Sequence, residues 1–137
     1  MTEKNVKELR IGNWFIEKDE IKQFDGDFYH LIDCQFIEVD PEWLVKFGFA
    51  YQHKRSEHFI QQYFIKEISN NNGNKKHIEI TILESGHSEV TKFEIILIHE
   101  YRWNEIKEGR IFWSNELHIH TLQNLVFVLS GNELEIK

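Results

Sequence analysis

The sequence predicts an α+β fold: a curved antiparallel β-sheet of six to eight strands, a short capped helix near residues 41–47 and a C-terminal core helix near residues 120–130. Three observations predict it. Stretches of alternating apolar residues recur before and after the short helix, the period of a half-buried strand. Asp40-Pro41 and Gly48-Phe49 bracket that helix with start and stop signals. Leu122, Leu125, Val126 and Leu129 fall at i, i+3, i+4 and i+7, one face of a helix that Gly131 can end. Strands grouped on either side of one helix, with no βαβ alternation, favour an antiparallel sheet packed on the C-terminal helix. The 137 residues fit a single domain, 1–137, long enough to bury a self-sufficient core.

Taken in order, residues 1–8 are polar and read as a frayed end. Leu9 and Ile11 begin a strand pattern that Gly12-Asn13 interrupts and Trp14 and Ile16 resume, which signals a bend. Lys18-Asp19-Glu20 is a turn, a weak strand runs to Phe24, and Asp25-Gly26-Asp27 carries a hairpin signal. From Phe28 to Val39 a long strand is expected, with Phe28, His30, Ile32, Cys34 and Phe36 on one face and Tyr29, Leu31, Ile37 and Val39 on the other. The helix that follows has Asp40 as N-cap, Pro41 at N1, Glu42 at the positive end of the dipole, Val39 and Leu44 as a hydrophobic staple, and a Schellman ending at Gly48. Beyond it, His58–Ile68, His77–Leu83 and Val90–His99 alternate as a meander. Asn72-Gly73 and Gly86 mark two of its reversals, and a third falls within Asn104–Gly109. A last strand starts at Ile111 and extends toward His120, with an interruption near Ser114-Asn115. In the C-terminal helix, Phe127 and Val128 lie off the main stripe, so burial on more than one side is expected.

The composition is that of a globular chain, 41% hydrophobic and 28% charged, with an aromatic share of 14%. One cysteine, Cys34, excludes an internal disulfide, no apolar run reaches the ~20 residues of a membrane span, and no apolar leader opens the chain. A cytoplasmic protein is expected. Net charge is −7. Nine carboxylates against two lysines between Glu17 and Glu42 account for all of it. Lys54, Arg55, Lys66, Lys75 and Lys76 are spread too thinly for a nucleic-acid footprint, so they read as a solvated face.

Candidate chemistry centres on histidine. His118 and His120 would project from one strand face about 7 Å apart, the spacing of two ligands to one metal, and His99 beside Glu100 could supply a third. A divalent metal at His99, His118 and His120 is thus one reading. In the other, Leu117 and Ile119 point inward, the two histidines face solvent, and His120 caps or packs at the helix N-terminus. Cys34 and His30 are four apart, too distant for a thiolate–imidazole pair, so Cys34 reads as a small buried hydrophobe. Asp25-Gly26-Asp27 lacks the ligand spacing of a calcium loop and reads as a turn. No phosphate loop or nucleophile elbow is present. Trp14, Trp43, Trp103 and Trp113, with Tyr51, Tyr63 and Tyr101, exceed what such a core readily hides. Tyr101, Trp103 and Trp113 are the candidate interaction surface, for a protein partner or a second copy.

Three stretches, Glu8-Leu9-Arg10-Ile11-Gly12-Asn13-Trp14, Pro41-Glu42-Trp43-Leu44-Val45-Lys46-Phe47-Gly48-Phe49, and His120-Thr121-Leu122-Gln123-Asn124-Leu125 through Gly131-Asn132-Glu133-Leu134, resemble in order and spacing an uncharacterised family of small Bacteroidetes and phage-associated proteins. Thr121 stands where that family has Gln, and Ser130 where it has Thr. The resemblance implies a shared fold and a mobile-element setting, and brings no activity with it. The expected function is a non-catalytic protein-interaction or accessory module without a cofactor. The alternatives are a metal-dependent hydrolase or nuclease accessory using the histidines, and a small-molecule-binding protein.

Overall fold

The computed structural model describes residues 9–27, 34–55, 59–85 and 91–136, without the side chains of residues 53–55, 59, 60 and 85. The expectations for residues 1–8, for the strand start at Phe28 with Tyr29, His30, Leu31 and Ile32, for His58, and for the turn at Gly86 lie outside the described residues, as do the side chains of Lys54 and Arg55. Within them the chain is α+β. It runs β1 Trp14–Glu17, β2 Glu20–Gln23, β3 Cys34–Gln35, α1 Pro41–Lys46, β4 Ala50–Arg55, β5 Phe59–Asn71, β6 Asn74–Ser85, β7 Thr91–Glu100, β8 Ile106–Ser114 and α2 Ile119–Ser130. The strands divide between two antiparallel sheets, ordered β2-β1-β3 and β4-β5-β6-β7-β8. Correspondingly, the chain forms two compact units, Met1–Asp40 with Leu117–Leu134 and Pro41–Glu116 with Glu135–Lys137. The sequence pattern pointed to one sheet; among the described residues the first three strands pair with one another and the other five with one another.

In the first unit, β1 turns into β2 through Lys18 and Asp19, both at positive φ (49° and 66°). That is the two-residue turn whose twist matches paired strands, here made without glycine. Leu9, Phe15, Phe24 and Cys34 are buried together with Phe36 against them, and Phe15 and Phe24 meet edge to face at 6.3 Å. The long strand expected through Val39 is not formed in its described half. Pairing ends at Gln35, and only Glu38 makes an isolated bridge, to His118. The two bonds of that bridge, Val39 N–H to Leu117 O (2.8 Å) and Ile119 N–H to Ile37 O (2.8 Å), turn this stretch from β1 to the start of α2. The second of these satisfies one of the donors that the start of α2 leaves without an intrahelical partner.

Helix α2 ends as its glycine foretells, with Gly131 at φ 74° and its N–H on Phe127 O at 2.7 Å. Its buried face differs from the expected stripe. Ile119, His120, Leu122, Gln123 and Val126 are buried, Leu125 and Leu129 are half-buried, and Val128 is 79% exposed. Burial is therefore one-sided, and two of the five buried residues are polar.

In the second unit, α1 ends as a Schellman motif, with Gly48 at φ 88°. Phe49 N–H donates to Leu44 O (3.0 Å) and Gly48 N–H to Val45 O (2.9 Å). Lys46 and Glu42 pair across one turn at 3.4 Å. The five-stranded sheet carries a row of directly opposed residues, Tyr51, Phe64, Ile80, Ile95 and Phe112, one from each strand. Phe64, Ile80 and Ile95 are fully buried. Its β5–β6 hairpin turns at Asn72-Gly73, at φ 54° and 90°. The β7–β8 reversal lies at residues 101–105, earlier than the Asn104–Gly109 expected. There Tyr101 N–H donates to Glu105 O (2.7 Å), Asn104 N–H to Tyr101 O (3.0 Å), and Asn104 takes the left-handed conformation at φ 68°. Gly109 lies inside β8 instead, so β8 begins at Ile106 rather than Ile111, and it stops at Ser114, at the Ser114-Asn115 interruption rather than at His120.

Candidate functional site

One polar assembly among the described residues of the first unit joins residues more than a hundred positions apart. Asn13, fully buried, receives the Arg10 backbone N–H on Oδ1 at 2.6 Å, and its own amide donates to Asn124 Oδ1 at 3.0 Å. Gln123, 1% exposed, accepts from Trp14 N–H at 2.9 Å and donates to Gly12 O at 3.2 Å. Arg10 then spans the outer side of this layer. Its Nε donates to Asn124 Oδ1 at 2.8 Å, its Nη1 and Nη2 fork onto Glu133 at 2.7 and 3.3 Å, and its guanidinium lies 4.4 Å from the Phe127 ring centroid. The bend at Gly12-Asn13 is what makes this geometry. Gly12 at φ 95° donates its N–H to Phe24 O, while its carbonyl accepts from Gln123 and from Gln23. Every polar atom named here is answered by another, so the assembly is a lock between β1 and α2. It offers neither a nucleophile nor an acid–base pair. These residues stand in two of the three motif stretches without having been candidates for a site; their signal in the sequence is three amides, Asn13, Gln123 and Asn124, set within otherwise apolar segments.

The structure brings together two of the three candidate metal ligands. His118 and His120 rings lie 5.6 Å apart and nearly parallel (14°), and both contact the Phe36 ring, at 5.4 and 4.0 Å. The strand alternation that would expose them breaks at Ile119, where the helix starts. As a result His118 is half-buried at the N-cap position, without a side-chain cap bond, and His120 is 1% exposed in the first helical turn. His120 packs at the helix N-terminus; it does not cap it. Leu117 and Ile119 point inward as expected. His99 belongs to the other unit, where its ring stacks on Tyr101 at 4.0 Å.

Of the aromatic candidates, Tyr101 and Trp103 share the β7–β8 turn. Trp113 lies near the far end of β8, about 23 Å from the turn at strand rise, opposite Glu94. The turn is built for presentation. Asn74 Oδ1 receives Arg102 N–H at 3.0 Å, tying the turn to the neighbouring hairpin. Trp103 is 74% exposed with the Arg102 guanidinium 5.6 Å from its ring centroid, and Lys107 Nζ lies 5.7 Å from the Tyr101 ring. Trp113 is half-exposed under Arg110, which also pairs with Glu94 at 2.8 Å.

Part of the acidic stretch serves the fold. Glu17, 8% exposed, binds Lys22 at 2.9 Å, and this bond with its attraction holds the Lys22 ammonium above its usual range. Asp25 Oδ1 accepts Asp27 N–H at 2.9 Å in the Gly26 turn. Cys34 is buried, and that burial pushes its thiol above the usual 9.0. A folded thiol held neutral favours the native state below that value and ceases to as pH rises through it. Thermal stability is therefore expected to fall as pH rises above about 9, and to fall less in Cys34→Ala. At neutral pH iodoacetamide should label Cys34 far more slowly in native than in urea-unfolded protein, as read by mass spectrometry; equal rates would contradict the burial.

No protein-family model matches the chain, and neither a curated protein nor a solved structure matches it. Among the described residues no helix is long and apolar enough to cross a membrane.

Proposed function

We propose that the protein is a non-catalytic interaction module whose binding surface is the β7–β8 turn. The observation that supports this best is Trp103, 74% exposed on a turn fixed by the Asn74–Arg102 hydrogen bond. A large apolar ring held out on an ordered turn loses little entropy on binding, and Trp, Tyr and Arg are the residue types that dominate interface energies. Arg102 beside the Trp103 ring adds a cation at the centre of the turn, and Lys107 is paired with Glu105 at 3.8 Å, so the aromatic ring and Arg102 are the groups the turn offers a partner. The resemblance of the three motif stretches to phage-associated proteins adds a mobile-element setting to this reading, and the lone buried cysteine supports a cytoplasmic one.

The test is a quantitative pull-down with wild-type protein and Trp103→Ala. Loss of a partner by about 30-fold or more is expected, the effect of a hot-spot residue. Recovery of the same proteins at the same level by both would remove the reading.

A further inference from the structure

The five-stranded sheet ends at β8, whose outer edge has no neighbouring strand among the described residues. Such edges attract other chains, and proteins usually blunt them with prolines, charges or bulges. Strand β8 has nine residues and no proline, and Ile106 and Ile111 along it are 59% and 38% exposed; it does carry charges and a bulge at Ile111, so only a register that sets those charges against opposite ones is open to it. Its charges are arranged around a glycine: Lys107, Glu108, Gly109, Arg110. Gly109 needs no positive φ, and open space surrounds the position of a Cβ, so its own fold does not require a glycine there. Glycine inside a strand weakens it, and often marks a place where another backbone comes close.

We infer that β8 pairs antiparallel with β8 of a second copy about a two-fold axis through Gly109, joining the two five-stranded sheets. An antiparallel pair related by an axis normal to the sheet keeps each residue on its face, so only registers centred on a residue are allowed. Centring on Lys107, Glu108 or Arg110 sets a charge against its own copy. Centring on Gly109 sets Glu108 against Arg110 twice, once on each side of the axis. Both residues lie on one face of the sheet, opposite Ile98 and Ile96 of β7. Arg110 uses Nε and Nη2 on Glu94, which leaves Nη1 to donate to Glu108 of the second copy. The register shift between Ile95 and Ile96 puts a bulge at Ile111, which limits the regular ladder to the residues around the axis. This edge adjoins the β7–β8 turn at Lys107, but its test, made at Glu108 and Arg110, does not depend on that reading.

The test is sedimentation velocity over a concentration series for wild type, Glu108→Arg, Arg110→Glu and an equimolar mixture of the two variants, with circular dichroism confirming that each is folded. Wild type should dimerise with rising concentration. Each variant alone should be weakened at least tenfold, because the axis then sets Arg against Arg or Glu against Glu. The mixture should associate again, since each interface regains two opposite-charge pairs. Wild type monomeric at every concentration, a Glu108→Arg protein that dimerises as wild type does, or a mixture of folded variants that stays monomeric would overturn the inference.

Discussion

Replacing Gln123 by Ala is expected to destabilise the protein by about 3 kcal/mol, a large effect for one polar side chain. The residue is 1% exposed, and its amide answers Trp14 N–H, Gly12 O and the Asn13 amide. Removal strands buried groups that water cannot reach, and each stranded group costs about 1–3 kcal/mol. Gly12 O keeps its second donor, Gln23, which holds the total below the simple sum. The control on the same helix is Val128→Ala. That side chain is 79% exposed, and its loss should move stability by no more than about 0.5 kcal/mol. Urea unfolding with an unchanged slope gives both numbers. A Gln123→Ala midpoint matching that of Val128→Ala would show that the lock contributes nothing.

Phe64→Ala should cost about 4 kcal/mol, within the range for emptying an aromatic site in a close-packed core. Phe64 is fully buried in β5, between Tyr51 of β4 and Ile80 of β6, with the Tyr51 ring 5.2 Å away. It belongs to the row that crosses all five strands, so neighbours on two sides must either close the cavity or leave it. Partial closure is the rule in strands, because their backbones are fixed by ladder bonds on both sides. Urea unfolding again reads the effect; a loss under about 1 kcal/mol would mean that the row does not carry this sheet.

Local chemistry made much of the fold legible. Asp40-Pro41 and Gly48-Phe49 bracketed α1, Asn72-Gly73 set the long hairpin, and Gly131 ended α2, because caps and turns depend on residues a few positions apart. What depended on distant partners was not legible. The buried face of α2 includes Gln123 rather than centring on Leu125 because β1 offers backbone groups to its amide, and no periodicity in residues 117–131 records that. The histidines followed the same course: alternation placed His120 on solvent, but the Ile37–Ile119 bond starts the helix early and carries His120 onto Phe36. Gly109 read as a turn because glycine in a strand is uncommon, while Asn104 supplied the left-handed residue that the turn needed. The separation of Trp113 from Tyr101 and Trp103 followed from that same misplaced turn.

The motifs with the strongest patterning thus build the fold, and the candidate surface lies on a turn that no motif marks. The measurement that tests this division most directly is partner recovery by Trp103→Ala beside Asn13→Ala, each with its unfolding midpoint. Trp103→Ala is predicted to unfold within about 0.5 kcal/mol of wild type and to lose its partner. Asn13→Ala, kept at a temperature where it remains folded, is predicted to be less stable and to retain that partner. Retention by Trp103→Ala with loss by folded Asn13→Ala would contradict the account, placing recognition in the β1–α2 lock instead.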